Sequence, residues 1–460
     1  MYPPLMRTTF LLVGATALAF YAACGGDSAP TDAAGAVASV STSASTGPAG
    51  GAAGAGGGAQ LPPPTVEVPT VSLSADAVGV LVNPDDPQSV AVAKHYVEAR
   101  NIPASHVYEV KLTVAASVTA EEFDAAKKTL DAAVDPAVQA WAITWTQPYA
   151  VGCMSLTSAF ALGFDTKYCN TTGGACGPTA PSPYFDSPSS APFQDHGLRP
   201  AMALVGKDTA SALALIDRGV AADGTFPPGD GYLLRTTDVA RSVRWPDFMA
   251  TTNLWDHPDG LKLTYLDNAS GSGKDYLENT KDVLFYFTGL ADVPALETNT
   301  YRPGAVADHL TSFGGQVPTS GQMSIAKWLE AGATASYGTA FEPCNYPTKF
   351  PSPKVMLPHY FRGETVLEAY WKSVRWPGEG VFVGDPLARP WGTKVDATRE
   401  RIVLDTTSLD PKKTYELVAG PGPSGPFQVV AKGLAVPFYK RAKFTFEAPT
   451  EAHYVLRESP

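Results

Sequence analysis

From residue 77 onward short apolar runs alternate with amphipathic stretches, and this rhythm constrains the fold more than any other feature of the chain. AVGVLVN (77–83) reads as a strand, and the segment after it has helical spacing at Val90, Ala93 and Val97 until Pro103 stops it. HVYEVKLTV reads as a strand, TAEEFDAAKKTLDAAV as a helix opened by a Thr-x-x-Glu-like cap, and QAWAITWTQPY as a buried strand. Strand, helix, strand, helix, strand predicts a parallel sheet with helices on both faces. Residues 150–198, rich in Gly, Pro and Ser and holding three cysteines, interrupt the pattern as a long insertion. It resumes with AMALVG, TASALALIDRGVAAD, GYLLRTT, VLFYFTGL, SIAKWLEAG, ATASYGTA, GETVLEAYWKSV and GVFVGD, so 65–393 is expected to form one α/β domain. Residues 394–460 carry five short strand-like runs with turn residues and no helix between them, the pattern of a small all-β sandwich.

The N-terminus adds an address. Arg7 precedes the apolar run TFLLVGATALAFYAA, which is shorter than the roughly 20 residues of a spanning helix. The run ends at Tyr21-Ala22-Ala23-Cys24, which resembles a bacterial lipobox with Tyr where Leu is usual. Residues 1–23 are therefore expected to be a lipoprotein signal peptide and Cys24 the lipid anchor. Residues 24–64, mostly Gly, Ala, Ser, Thr and Pro, are expected to be a disordered spacer. This places the folded part outside the cytoplasm, periplasmic or at the cell surface, with the membrane as a partner through the lipid.

Composition narrows the rest. With 34 basic and 45 acidic residues the net charge is −11 and no cationic run appears, which argues against nucleic acid. Four cysteines besides Cys24 suit an oxidising compartment and suggest two disulfides. Cys169 and Cys176 flank a Gly-rich loop that closes easily, so Cys169–Cys176 is expected, leaving Cys153–Cys344. No cysteine pair has structural-zinc spacing, and the histidines (His95, His106, His196, His257, His359 and His453 among them) lack partners at ligand spacing. No metal and no cofactor is expected, and no G-x-S-x-G elbow, phosphate loop or dinucleotide fingerprint occurs.

Between Ala77 and Trp391 the chain resembles an uncharacterised family of exported bacterial proteins, through AKHYVEARNIP, ALIDRGVAADGT, RPGAVADHLTSFGG, WLEAGATASYGTAFEP with KFPSP behind it, and VGDPLARP. More distantly, the order of elements is similar to gingipain-type cysteine peptidases, with a caspase-haemoglobinase fold followed by an immunoglobulin-like domain. In that resemblance VLFYFTGL matches the strand ending in Gly-His-Gly, HLTSFGG the strand ending in Cys-x-x-Gly, GATAS the Gly-Ala-x-Ala strand, and VGDP the closing Gly-Asp-Pro. Thr288 then stands at the histidine and Ser312 at the cysteine, with Gly315 three residues on. A serine facing a threonine has no base to take its proton, so the resemblance implies a domain without the usual dyad.

Asp308, His309 and Ser312 form the best polar cluster, following a core strand where ligands bind in parallel sheets. His309 is the natural base for Ser312, but residues three apart on a strand face opposite ways, so a local dyad needs a turn. Cys344, after AFEP, is either the disulfide partner of Cys153 or a displaced nucleophile. Asp385 and Glu342 read as turn-forming motif residues. Tyr149, Trp245, Trp255, Tyr301, Tyr346, Trp371 and Trp376 offer either a glycan- or peptide-binding surface or core packing. The reading is a non-catalytic, peptidase-like envelope protein that binds or scaffolds an envelope protein, peptide or glycan; the alternative is an active hydrolase using Ser312 or Cys344.

Overall fold

The computed structural model describes residues 61–169, 177–255 and 261–460; Cys24 and Cys176 lie outside them. β1 (Thr65–Glu67) is followed by β2 (Val78–Val82), buried throughout, and by α1 (Pro87–Arg100), which Asp86 caps by accepting the Gln88 amide. β3 (Val107–Glu109) and β4 (Ser117–Val118) lead to α2 (Ala120–Ala133), opened by Thr119 accepting from the Glu122 amide, and then to β5 (Ala140–Ile143). The insertion holds β6 (Ala150–Val151), β7 (Met154–Ser155), α3 (Leu156–Leu162) and α4 (Pro192–His196). β8 (Ala201–Ala203), α5 (Thr209–Ala222), β9 (Gly229–Arg235), α6 (Trp245–Leu254), β10 (Leu261–Asp267), β11 (Val283–Thr288) and β12 (Tyr301–His309) follow. Next come α7 (Ala326–Ala331), β13 (Ala335–Thr339), α8 (Pro353–Phe361), α9 (Val366–Ser373) and β14 (Gly380–Gly384). The C-terminal strands are β15 (Thr393–Ala397), β16 (Arg401–Thr406), β17 (Tyr415–Gly420), β18 (Gln428–Leu434), β19 (Ala442–Glu447) and β20 (His453–Glu458).

The protein is α/β, built on a ten-stranded, mostly parallel sheet in the order β10-β9-β11-β12-β13-β14-β8-β5-β2-β3. β13 and β14 pair antiparallel, because the hairpin of α8 and α9 returns the chain before β14 begins. Alternate strand residues feed two cores. Val80, Ala142, Phe285 and Val306 pack with α1, α6, α8 and α9, while Leu81, Trp141, Tyr286 and Ala307 pack with α2, α3 and α7.

The face of α1 differs by one position from the one its spacing suggests. Val90 is exposed, and Ser89, Val92, Ala93, Tyr96 and Arg100 are buried. The Ser89 hydroxyl accepts from the Asn83 amide at 2.9 Å and meets Thr144 Oγ1 at 2.7 Å, so hydrogen bonds at the ends of β2 and β5 set the rotation of the helix.

β16 and its neighbours β15 and β19 face the sheet β1-β20-β17-β18 across a small core of Ile402, Leu404, Leu417, Tyr454 and Leu456. β1 runs parallel to β20, Thr65 opposite His453. Thr65–Glu67 therefore completes the C-terminal unit, and the strap from Val68 to Ala75 crosses to β2, fixed where the Leu73 amide donates to Glu368 Oε2 at 3.1 Å.

The cysteines pair differently from expectation. Cys153 is bonded to Cys169, Cα to Cα 5.8 Å, which excludes both Cys169–Cys176 and Cys153–Cys344. Cys153 lies between β6 and β7, and α3 carries the chain back so that the turn at Thr166–Tyr168 delivers Cys169 beside it. Cys344 is also disulfide-bonded. No helix among the described residues is long and apolar enough to cross a membrane.

Candidate functional site

β11 and β12 are adjacent and parallel, with Thr288 opposite His309. The loops after β5 and β12 meet at this end of the sheet, where Gln147 Nε2 donates to the Val317 carbonyl at 3.1 Å. The sheet's carboxyl edge therefore gathers Thr288, Asp308, His309 and Ser312.

The three polar residues on β11 and β12 are wholly buried and differently engaged. His309 donates from Nε2 to the Met323 carbonyl at 3.1 Å and accepts the Trp328 indole N–H on Nδ1 at 2.9 Å, which fixes one neutral tautomer. Burial, outweighing the Met323 bond, lowers its pKa to about 3. Asp308 faces the opposite core, where Oδ1 accepts from Arg244 at 2.7 Å; burial raises its pKa to about 6 and the guanidinium pulls it back. The same guanidinium donates to the Thr288 carbonyl at 2.7 Å and to that of Pro351 at 3.2 Å. The Thr288 hydroxyl has no partner.

Ser312 stands beyond the end of β12, half-buried, with its carbonyl accepting from Thr339 Oγ1 at 3.0 Å and its own hydroxyl in no hydrogen bond. Neither nitrogen of His309 is free for it. The loop holding Ser312 is pressed onto β13: the Gly315 amide donates to the Thr339 carbonyl at 2.9 Å, and a Cβ on Gly315 would stand 2.6 Å from the Gly338 carbonyl. Gly315 is thus required by close approach of two backbones. The end of β11 is roofed in the same manner, since a Cβ on Gly289 would meet the Arg241 carbonyl at 2.0 Å.

Arg241, Arg244, Gln322 and Trp328 were not singled out by the sequence, although they decide what the edge can do. Gln322 Oε1 accepts from Thr311 Oγ1 at 2.7 Å and from the Phe313 amide at 2.9 Å, and Arg241 Nε donates to Thr311 Oγ1 at 3.2 Å. The one signal available was Arg244 between apolar neighbours in SVRWP. Beside this network a cleft of about 580 Å³ opens between the loops after β8, β11 and β12 and α7, with Lys207, Glu297, Gln322, Met323 and Lys327 among its walls.

The other candidates fall elsewhere. Cys344, being in a disulfide, has no thiolate to offer, and Glu342 Oε1 accepts the Cys344 amide at 2.8 Å within a turn. Asp385 is fully buried at the opposite edge, where Arg100 Nε donates to its Oδ2 at 3.0 Å and a Cβ on Gly219 would strike that same oxygen. Trp255 and Trp371 are core residues, whereas Tyr149, Trp245, Tyr301, Tyr346 and Trp376 are half-buried, and of these Tyr346 and Trp376 meet ring to ring at 5.7 Å. Among the described residues no group of three His, Cys, Asp or Glu is placed to hold a metal. No family model, curated protein or solved structure matches the chain.

Proposed function

We propose that the protein is a lipid-anchored envelope protein whose α/β domain, caspase-haemoglobinase-like in its order of elements, binds or scaffolds rather than cleaves. The observation that carries this reading is the state of His309: buried, neutral, with both ring nitrogens held by Met323 and Trp328, it has no lone pair for a nucleophile. A serine hydrolase needs a base within about 3 Å of its hydroxyl, and Ser312 makes no such contact. The cleft of about 580 Å³ at the carboxyl edge is the natural binding place, since ligands of parallel sheets sit beyond their strand ends. Its mixture of Lys207, Lys327, Glu297 and apolar Met323 suits a peptide, an envelope protein segment or a glycan. The anchor at Cys24 rests on the Tyr21-Ala22-Ala23-Cys24 sequence, and the Cys153–Cys169 disulfide supports an oxidising location.

The test is an assay of wild type and Ser312→Ala against a broad peptide library. The expected result is no turnover by either protein. Turnover by wild type that Ser312→Ala abolishes shows a working serine enzyme and removes this reading.

A further inference from the structure

A second opening of about 610 Å³ lies where α8, the insertion, the strap before β2 and the C-terminal unit meet. Its walls include Asp186, Lys354, His359, Arg362, Glu364 and Ser408. The two carboxylates are already engaged: His359 holds Glu364 Oε1 at 2.8 Å through Nδ1 and Asp186 Oδ1 at 3.1 Å through Nε2, and Lys372 reaches Glu364 Oε2 at 2.7 Å. The donors are not. Lys354 is exposed and neither it nor Arg362 has a carboxylate partner. Arg362 Nε is buried with nothing to donate to, and Ser408, 3% exposed, has a buried hydroxyl with no partner.

A buried donor left without an acceptor is costly to a fold, and here the Nε of a half-buried guanidinium and a buried hydroxyl in that condition belong to residues that border one cavity. We propose that this cavity is a binding site for a small ligand carrying a carboxylate or phosphate group. A guanidinium presents a planar fork that matches either group, the Ser408 hydroxyl adds a third donor from the facing unit, and Lys354 supplies a point charge at the mouth. The volume is in the range of small-molecule sites. With a net charge of −11 the chain as a whole repels anions, so affinity for one has to arise from this local arrangement. The site is separate from the carboxyl-edge cleft and stands or falls independently of it.

Calorimetric titration of the detergent-solubilised full-length protein at low chloride tests the proposal, using inorganic phosphate, galacturonate and neutral galactose as probes. The expected result is saturable binding of at least one anion with a Kd of about a millimolar or tighter, and none of galactose. Arg362→Gln is expected to weaken it at least tenfold and Lys354→Gln severalfold. Phosphate alone points to a phosphorylated ligand and galacturonate alone to a sugar acid. Because Lys354 is exposed, its variant reports on the site even where Arg362→Gln fails to fold. Absence of binding by both anions, equal binding of galactose, or unchanged affinity in both variants overturns the proposal.

Discussion

The two edges of the large sheet are both rich in polar side chains, but they are held by different physics. At the carboxyl edge a neutral imidazole, an amide and hydroxyls exchange hydrogen bonds around Thr311, Gln322 and Trp328, beside one buried ion pair, Arg244 with Asp308. At the opposite edge a single buried guanidinium gathers two carboxylates and ties three segments. Arg100 from the end of α1 binds Asp385 after β14 and Asp223 after α5, and Asp385 is kept from acidity by burial that the guanidinium only partly offsets. Sequence blocks that look alike in importance thus converge on unlike structures: ARNIP, DRGVAAD, RPG and VGDPLARP meet at the charged edge. There a Cβ on Gly304 would meet Pro390 at 2.3 Å, and Tyr360 donates to the Gly304 carbonyl at 3.0 Å. Motif density in this chain marks where the fold is fastened.

The largest expected effect follows from that fastening. Asp385→Ala leaves an almost wholly buried guanidinium with Asp223 as its one remaining carboxylate and removes its fully buried partner, and breaking such a buried pair costs about 3–5 kcal/mol. Urea denaturation of wild type and variant measures it. Replacing both buried ends with apolar residues, as in Arg100→Met with Asp385→Leu, is expected to recover much of the loss, because no buried charge is then left uncompensated and Asp223, part-exposed and still accepting the Arg389 amide, is open to water. A cost of under about 1 kcal/mol for the single variant shows that the edge is not held by this clasp, and the contrast between edges disappears.

What the sequence made legible divides along the same lines. The strand and helix rhythm was readable where elements are one-sided, as in α2 and α5, whose polar and apolar residues alternate with helical period. It failed for α3, buried on nearly every side and therefore without contrast, and for α8, where Pro353 and Pro358 disguise a helix. β10 was missed because LKLTYLD follows a helix, α6, that the composition did not announce. The disulfide was misread because closure of a short loop is a local argument, whereas Cys153 and Cys169 are brought together by the fold of the insertion around α3. At the site, Thr288, Asp308 and His309 were found, yet their states were set by Arg244 before α6 and by Met323 and Trp328 around the start of α7. No spacing rule links those.

The carboxyl edge predicts a pH signature that the charged edge does not share. His309 has its pKa lowered to about 3, mainly by burial, from an ordinary 6.5. A histidine held neutral in the fold contributes stability that is complete above its unfolded pKa and is lost as pH falls below it, at up to about 1.4 kcal/mol per pH unit. At pH 5.5 wild type is therefore expected to have lost ~1 kcal/mol through this group. His309→Gln retains an acceptor and a donor but cannot titrate, so its stability should fall less steeply between pH 6.5 and 4. The raised pKa of Asp308 works the other way, favouring the fold as pH falls through about 6, and is common to both proteins, so the difference between them isolates the imidazole. Parallel pH profiles would mean that His309 is solvated, and a solvated His309 is available as a base after all.

The smallest expected effect is also the most discriminating at the carboxyl edge. The Ser312 hydroxyl is half-buried and makes no hydrogen bond, while the backbone around it is fixed by Thr339 and by the approach of Gly315 to β13. Ser312→Ala removes nothing that the loop depends on, so unfolding should change by no more than about 0.5 kcal/mol, the usual range for substitutions away from buried contacts. The same variant that tests for turnover thus carries its own folding control. A destabilisation above about 1 kcal/mol would show that the hydroxyl is tied into the Thr311 and Gln322 network. Ser312 would then be one more locked residue, and the carboxyl edge would be as tightly fastened as the edge that Arg100 ties to Asp223 and Asp385.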